Sequence, residues 1–563
     1  MMPKRYVLAT AVAALVAVSS VAAGCGTSAA SSNQVSASSS SSAAAAGKPS
    51  EGGSITLDAI QQVKDLDPAR ADDTQSMEVV EQLYDQLVTF NQDATKVEPM
   101  LAKSWDISKD GKTYTFHLRD DAKFWNGDAV TAQSFIDELQ RVMTKSVGCP
   151  YVSYFDIIQG AQAYYDGKAS SISGVRAPDK DTLVITLTRP EPFFLKLLGM
   201  PFISAVDASY IKQVGNDAFD ANKAMGSGPF ELASMNQSQV VLKKNPNYWR
   251  TDSAGNRLPY LDQVTLNVSE NSQADAMRFE AGNTAWLGWN TNGIPTSAYP
   301  TFKSNPKYSQ LMVQAPEPGV QYLGMNVKIA PFNNQKVRQA LEYAINKKQI
   351  LDIEGGRGTI ANQPLPPSVD GNVKDLPSDV QYTYNPAKAK ALLKEAGFPN
   401  GFKTTLYSSN DSDQLRIDTA VQSMLANVGI KVKISATTWG TFLTKNESGK
   451  TGLFWLAWME AYPDASDFLY ALFDSKQQPV DNSTLYSNPQ VDGWLNQSQV
   501  EMNDATRTKL FQQATVQIMK DAPWVPVYYP MEDFAVQSWV HNFYINPVMM
   551  DPLENVWVDP AHA

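Results

Sequence analysis

The sequence predicts an α/β protein with mixed sheets, and three observations support this fold class. Short segments rich in β-branched and aromatic residues alternate with longer segments whose apolar residues recur every three or four positions. The chain has 563 residues, 43% of them hydrophobic, which is enough for a large core spread over roughly two to four domains. It has only two cysteines, so a small fold held by disulfides is excluded.

The N-terminus has the pattern of a secretory signal. Lys4 and Arg5 precede an apolar run at 7–18, and small residues follow up to Cys25. A transmembrane anchor is the competing interpretation, but Thr10 and Ser19 interrupt the run before it reaches the roughly 20 apolar residues that a bilayer requires. We therefore expect residues 1–24 to be removed as a signal peptide and the protein to be exported.

The residues before Cys25 resemble a bacterial lipobox. Residues 21–24 (VAAG) are small, although a lipobox usually has Leu where this chain has Ala22. The segment that follows is almost wholly Ser, Ala, Thr and Gly up to Gly47, a composition typical of a flexible linker. We expect Cys25 to carry the lipid and residues 25–53 to tether the protein to the outer face of the cell membrane. Cys149 then remains as a single thiol.

Charge argues against a nucleic-acid partner. The formal net charge is −11, and loss of Lys4 and Arg5 with the signal makes the mature chain more acidic still. No further stretch of about 20 apolar residues follows Cys25, so we expect the body of the protein to lie outside the membrane.

Periodicity predicts individual elements after residue 53. Strands are predicted at 55–57, 114–118, 183–187, 240–242, 264–268 and 431–434. Helices are predicted at 76–88, 131–143, 334–351, 386–396 and 412–428. The helix at 386–396 has clear end signals, because Asn385 fits an N-cap, Pro386 the first helical position and Gly397 the residue beyond the C-terminus.

Residues with catalytic or metal-binding chemistry are scarce. The chain has three histidines, His117, His541 and His562, and none stands in a metal-ligand spacing. Residues 447–451 (ESGKT) end like a phosphate-binding loop but have Thr444 where the first glycine is required, and 355–358 (GGRG) is better interpreted as a turn. We therefore expect neither an enzyme nor a metal or cofactor protein.

One long segment resembles the family 5 extracellular solute-binding proteins. Residues 101–119 (LAKSWDISKDGKTYTFHLR) are similar to the family signature, and further motifs follow in the family's order: 226–230 (GSGPF), 245–249 (NPNYW), 337–340 (VRQA), 387–393 (AKAKALL), 429–432 (GIKV) and 462–464 (YPD). The resemblance covers residues 54 to 547. It implies a bilobal clamp with mixed sheets and an extra domain inserted in the first lobe, which closes around a solute for an ABC importer.

The resemblance also implies a domain division. Lobe I is expected to combine 54–78, 204–305 and 525–563, the inserted domain to span 79–203, and lobe III to span 306–524. The expected function is capture of oligopeptides by a monomeric lipoprotein and delivery to the permease subunits.

The late motif around Trp458 departs from the oligopeptide-binding members. The resemblance places their ammonium-binding aspartate at Ala461 and two arginines at Trp455 and Asn446, so the expected charges are replaced. Glu460 or Lys445 could substitute for them. The candidate solute-contacting residues are Gln62, Val63, Tyr151, Tyr154, Trp439, Asn446, Trp455, Trp458, Met459, Glu460, Ala461 and Tyr462.

Two alternatives to a free peptide follow from this set. A cleft rich in aromatic residues and poor in fixed charge also suits an oligosaccharide, a capped peptide or another uncharged solute. A receptor that signals without transport has the same sequence pattern. Core packing explains any single aromatic residue of the set equally well.

Overall fold

The computed structural model describes residues 48–59, 61–269, 271–289, 293–548 and 552–562. The predicted signal peptide, Cys25 and the linker up to residue 47 lie outside these ranges, so the lipid-anchor interpretation stays a prediction. Within these ranges no helix is both long enough and apolar enough to cross a membrane.

The described part of the chain contains strands distributed along its whole length. They are β1 (Ser54–Ala59), β2 (Val88–Phe90), β3 (Val97–Pro99), β4 (Ala102–Ile107), β5 (Thr113–Leu118), β6 (Val175–Asp179), β7 (Thr182–Thr186), β8 (Phe230–Asn236), β9 (Gln239–Lys244), β10 (Gln263–Val268), β11 (Trp286–Leu287), β12 (Met312–Pro316), β13 (Gly319–Met325), β14 (Gly358–Ile360), β15 (Lys403–Ser409), β16 (Lys431–Thr437), β17 (Leu453–Met459), β18 (Trp524–Val536), β19 (Val540–His541) and β20 (Trp557–Val558).

Helices lie between these strands. They are α1 (Thr74–Leu83), α2 (Ala132–Val142), α3 (Val152–Phe155), α4 (Ala161–Tyr165), α5 (Phe194–Leu197), α6 (Ala208–Val214), α7 (Asn216–Ala221), α8 (Ser272–Glu280), α9 (Tyr299–Ser304), α10 (Pro306–Ser309), α11 (Gln335–Ala344), α12 (Lys347–Ile353), α13 (Pro386–Glu395), α14 (Ser412–Asn427), α15 (Trp439–Glu447), α16 (Ala465–Phe473), α17 (Pro489–Ser498) and α18 (Asp504–Asp521).

The first body of the protein contains two four-stranded sheets. One has the order β1-β10-β9-β8, in which β1 and β10 are parallel, and the other has the antiparallel order β4-β5-β7-β6. A single hydrophobic cluster joins them, since it includes Leu57 and Val264 from the first sheet together with Phe116 and Leu183 from the second. The range expected to form the inserted domain therefore shares one hydrophobic core with the ranges expected at the start of lobe I, and we call these residues together the first body and the rest of the largest sheet with its helices the second body.

The largest sheet has the order β11-β18-β13-β17-β15-β16; β13, β17, β15 and β16 come from the range expected to form lobe III, whereas β11 and nearly all of β18 come from ranges expected in lobe I. Successive residues of β13 point to opposite faces, so Leu323 packs into one buried cluster and Tyr322 into another. Strand β18 pairs with β13 through its first half and with β12 and β11 through its second half. Strand β18 and the 317–318 connection therefore both run from the part of the sheet around β11 and β12 to the part around β13.

The mixed α/β class predicted from the sequence is confirmed, and most predicted elements are present. Two predicted helices differ from the structure. The helix expected at 76–88 ends at Leu83, because β-branched Val88 joins the β2–β3 pair instead. The helix expected at 334–351 is two helices, because the Asn346 side chain accepts from the Gln349 amide at 3.2 Å and caps the second one.

Candidate functional site

The loop 460–464 lies at the junction of the two bodies and connects β17 to α16. The Glu460 amide donates to the carbonyl of Pro318 at 2.9 Å, which places the start of the loop beside the chain crossing. The Asp464 carboxylate accepts from the Ser466 amide at 2.9 Å and caps α16, which fixes the end of the loop. Both ends are thus held by hydrogen bonds.

Asp467 holds this loop from within the first turn of α16. Its Oδ2 accepts from the indole Nε1 of Trp458 and from the amide of Ala461, both at 2.9 Å. The side chain is fully buried. Sequence reasoning missed this residue, although the spacing of Asp464 and Asp467 matches an N-cap followed by an acidic N3 position.

A buried ion pair anchors the same loop to lobe III. The Arg507 guanidinium donates to both oxygens of Asp464 at 2.6 and 2.7 Å, and its Nε donates to the Ser498 carbonyl at 2.8 Å. Burial alone would raise the pKa of Asp464, but the Arg507 charge and its hydrogen bonds outweigh burial and hold that pKa well below its usual range. Asp464 is therefore ionised near neutral pH.

Lys196 reaches this loop from the inserted domain. Its Nζ donates to the Pro463 carbonyl at 2.6 Å and lies 3.5 Å from an oxygen of Asp464. Lys196 and Glu460 line the same cavity of about 30 Å³ between the bodies, which has room for about two water molecules. Burial, and then the charge of Asp467, raises the pKa of Glu460 well above its usual value.

Aromatic rings from the two bodies meet at Tyr462. The Tyr462 ring stacks on Phe193 with centroids 4.8 Å apart and meets Tyr154 edge-on at 5.8 Å. Tyr151 and Phe202 extend this group, with their ring centroids 4.2 Å apart. We call Tyr151, Tyr154, Phe193, Phe202 and Tyr462 the interlobe aromatic cluster.

The structure brings together some of the sequence-predicted site residues. Trp458, Glu460, Ala461 and Tyr462 lie on one strand end and its loop, and Tyr154 reaches them from the inserted domain. The polar atoms of these aromatic residues have protein partners: besides the Trp458 indole, the Tyr462 hydroxyl lies 3.2 Å from Ser466 Oγ. The rings of Trp458 and Tyr462 are themselves largely buried in this arrangement of the two bodies.

Other predicted residues lie in the protein interior. Asn446 is buried and accepts from the hydroxyl of Thr451, and Trp455 is buried and donates to Gln321 at 3.1 Å. Burial in helix α15 and in the sheet explains these two side chains without a solute. Their role in binding stays a prediction.

The remaining predicted residues are Gln62, Val63, Trp439 and Met459. The Met459 side chain packs against Gly319, and a Cβ atom at position 319 would lie only 2.5 Å from it. Trp439 is half-buried against Phe442. Gln62 is exposed and Val63 is buried in the core of the first body.

One group of carboxylates in the described residues has metal-ligand spacing. Oxygens of Asp65, Asp72 and Asp73 lie within 4.8 Å of one another. Helix capping accounts for Asp73, since its carboxylate accepts from the Ser76 amide at 2.9 Å and from the Ser76 hydroxyl at 2.8 Å. The structure gives no further reason to place an ion here.

Comparison with known proteins gives consistent similarities. Residues 96–479 match the family described as bacterial extracellular solute-binding proteins, family 5 Middle. Heme-binding protein A of Haemophilus influenzae is 30% identical over 501 residues, which are 85% of this chain and 87% of that protein. The glutathione-binding protein GsiB of Pectobacterium atrosepticum is 33% identical over 492 residues, 86% and 90% of the two chains.

Solved structures show the same architecture. The unliganded open form of MppA, a periplasmic murein tripeptide binding protein, is 25% identical with a TM-score of 0.79, and the match covers 91% of this chain and 98% of that one. DppA from Helicobacter pylori in complex with the peptide STSA is 28% identical with a TM-score of 0.70, and the match covers 90% and 98% of the two chains.

Proposed function

The chain belongs to family 5 of the bacterial extracellular solute-binding proteins, which serve ABC importers, and from this membership we propose that it captures short peptides between its two bodies. The resemblance read from the sequence is thereby confirmed at the level of the family. The members of this family are binding proteins rather than enzymes, so the function is capture and delivery of a solute.

The names of similar proteins support a peptide as the solute. MppA is named for a murein tripeptide, DppA was solved with the peptide STSA, and the GsiB relative is named for glutathione, which is itself a tripeptide. The heme named for the Haemophilus influenzae relative is the exception among these. A small peptide is thus the chemistry most of these names share.

The interlobe position of the 458–462 segment is the observation that carries the proposal. This segment is the end of a strand, followed by a loop that faces the other body across the cleft. A strand end offers backbone groups to an extended peptide, and aromatic faces beside it offer apolar contact area. Both features lie where the two bodies meet, which is where a clamp buries its solute.

An uncharged solute is the second candidate, and the electrostatics of the loop favour it. The Trp458 indole N–H is already donated to Asp467, so the part of this side chain that a solute could contact on opening of the two bodies is apolar. The raised pKa of Glu460, caused first by burial, keeps that carboxyl protonated more readily than an exposed one. Apolar faces beside a carboxyl whose pKa is raised also suit an oligosaccharide or a capped peptide.

The cellular setting is part of the proposal. Import through permease subunits is the role we propose, in preference to signalling, because the family serves ABC importers. We further propose that Cys25 carries the lipid anchor and that the protein works as a monomer on the extracellular face of the cell membrane.

Titration calorimetry tests this function. Di- to pentapeptides are compared with a maltooligosaccharide series, and the variant Trp458→Ala is compared with Trp105→Ala, which changes a half-buried tryptophan of the inserted domain. A peptide should bind, and Trp458→Ala should weaken its binding at least about tenfold while Trp105→Ala changes it less than about twofold. Binding of the sugar series alone would replace the peptide proposal with the second candidate.

A further inference from the structure

Five lysines stand at one edge of the largest sheet, at the end remote from the candidate site. They are Lys328, Lys403, Lys431, Lys433 and Lys450, and we call them the lysine row. We propose that the lysine row is a docking surface for an anionic phospholipid membrane, which holds the second body by the end opposite its solute site. This inference concerns a membrane partner and does not depend on which solute the protein binds.

Strand pairing brings these lysines together. Lys403 and Lys431 are paired at the first position of β15 and β16, which run parallel, and Lys433 points to the same face of β16 as Lys431. Strand β17 also runs parallel to β15 and begins three residues after Lys450, and antiparallel β13 ends three residues before Lys328. Four neighbouring strands thus each bring a lysine to the same edge, over about 14 Å at the usual spacing between strands.

The cross-strand pair within the row opposes folding. All five side chains are exposed, and none of them forms an ion pair within the part of the chain that the structure describes. Lys403 faces Lys431 directly, and like charges in this register destabilise a sheet. Protection of a sheet edge explains the lysines on β16 but not Lys403, because β15 lies between β16 and β17. The repulsion therefore points to a partner outside the chain.

Few acidic residues accompany the row. Glu447 stands three residues before Lys450, and Asp481 is in the loop whose residue 484 accepts a hydrogen bond of 2.9 Å from the amide next to Lys328. A further acid, Glu395, is paired at 2.8 Å with a lysine of α11 that is not part of the row. Two acids beside five lysines leave this edge positive, although the whole chain has a net charge of −11.

The overall negative charge opposes approach to an anionic surface only at long range. At physiological ionic strength, exposed charges farther apart than the Debye length of about 8 Å are largely screened from each other. Once the lysine row touches the surface, its own charges therefore decide the interaction.

An exposed apolar side chain favours a lipid surface over an acidic protein as the partner. Val480 is 53% exposed, and its neighbour Pro479 lies 3.4 Å from where a Cβ atom of Gly449 would be, beside Lys450. In a headgroup layer the lysines meet phosphates and the apolar side chain is buried between headgroups. The predicted lipid on Cys25 would keep the body near such a surface, because the linker that follows it reaches on the order of 25 Å.

Docking by this edge directs the solute site away from the membrane. Strand β17 leads from the lysine row to the loop 460–464, and its seven residues span about 23 Å. The opening between the two bodies thus stays accessible from the medium while the second body is held at the surface.

Vesicle binding tests the inference on the whole exported chain, in which Cys25→Ala removes the predicted lipid. Vesicles of phosphatidylcholine alone and with about 30% phosphatidylglycerol are compared by co-sedimentation at about 0.15 M salt. The chain should bind the anionic vesicles at least about tenfold more tightly. The quadruple variant Lys403→Gln, Lys431→Gln, Lys433→Gln and Lys450→Gln should weaken this binding at least about 20-fold, because each lysine near such a surface contributes about fivefold.

A second quadruple variant, Lys96→Gln, Lys103→Gln, Lys109→Gln and Lys123→Gln, is the matched control. It removes the same number of charges from exposed lysines of the first body and should change binding less than about threefold. Lys403→Gln alone should raise the urea midpoint, because it relieves the repulsion from Lys431, and this checks that variants of the row fold.

Two results would overturn membrane docking: no preference for anionic vesicles, or equal losses in the two quadruple variants. Retention of polyglutamate, but not of vesicles, through the same four lysines would assign the surface to an acidic protein and would overturn it as well. Each of these results leaves solute capture untouched, because the calorimetry of the solute measures that function separately.

Discussion

Substitution of Arg507 by Met should destabilise the protein strongly, because it removes the partner of a buried carboxylate. Arg507 and Asp464 have side chains that are 9% and 2% exposed and share two hydrogen bonds of 2.6 and 2.7 Å. Breaking a buried pair in this way costs about 3 to 5 kcal/mol. The guanidinium also lies over the Phe511 ring, 4.8 Å from its centroid, so the variant loses this cation–π contact as well.

The structure also sets how this cost depends on pH. In the wild type the pKa of Asp464 is lowered, because Arg507 outweighs burial, so the pair stabilises the fold above the unfolded pKa and this contribution is lost as the pH falls through the folded value. Without Arg507, burial dominates and the pKa of Asp464 rises. The variant then gains stability as the pH falls from about 7 to 5, and the difference from the wild type shrinks.

Urea unfolding, followed by tryptophan fluorescence and by circular dichroism, measures this free energy, and agreement of the two probes checks that unfolding is two-state. The double variant Asp464→Asn with Arg507→Met should recover at least half of the loss, because neither charge of this pair is then left buried without its partner. A loss below about 1 kcal/mol for Arg507→Met, or no recovery in the double variant, would refute the buried-pair reasoning.

Three further predictions follow from other parts of the chain. Glu317 lies on the crossing between β12 and β13, where burial, and then the charge of Glu532, raises its pKa. Such a group stabilises the fold at low pH and loses that contribution as the pH rises. The free energy of unfolding of Glu317→Gln, measured in urea titrations relative to the wild type, should therefore increase by about 1 to 3 kcal/mol between pH 5 and pH 8. A difference between variant and wild type that stays constant or shrinks would contradict this. Glu460→Gln should change the affinity for a short peptide less than about threefold in calorimetry, because burial raises the pKa of Glu460 and disfavours its charged form. A loss of about 2 to 5 kcal/mol, the range for truncating one partner of a buried charge pair, would show that Glu460 binds as an anion. Cys25→Ala should release the protein into the culture medium, as immunoblots of cell and medium fractions would show, because the thiol is the single lipid attachment point in the predicted signal; retention with the cells would contradict the lipobox interpretation.

Local signals in the sequence were sufficient for much of the fold. The helix α2 follows Thr131 as predicted, and α13 begins after Asn385, whose side chain accepts from the Lys388 amide at 3.0 Å. Gly397 beyond α13 has a φ of +90°, the left-handed conformation that its position at a helix end requires. These features depend on neighbouring residues, so periodicity and end signals are enough to predict them.

The site was harder to predict, because its contacts join residues that are far apart in the chain. Lys196 and Pro463 are separated by 267 positions and Arg507 and Asp464 by 43, and no periodicity links such pairs. Asn446 entered the candidate set through alignment alone, which gives no measure of burial, and its side chain lies inside lobe III. Position in the family pattern identified the loop but not the residues that hold it.

Native mass spectrometry of the protein purified without added solute tests the central claim most directly. A chain that captures short peptides should carry a retained population whose mass difference and fragmentation correspond to peptides of a few residues. Retained sugars or another non-peptide solute, with no peptide released on denaturation, would contradict the account.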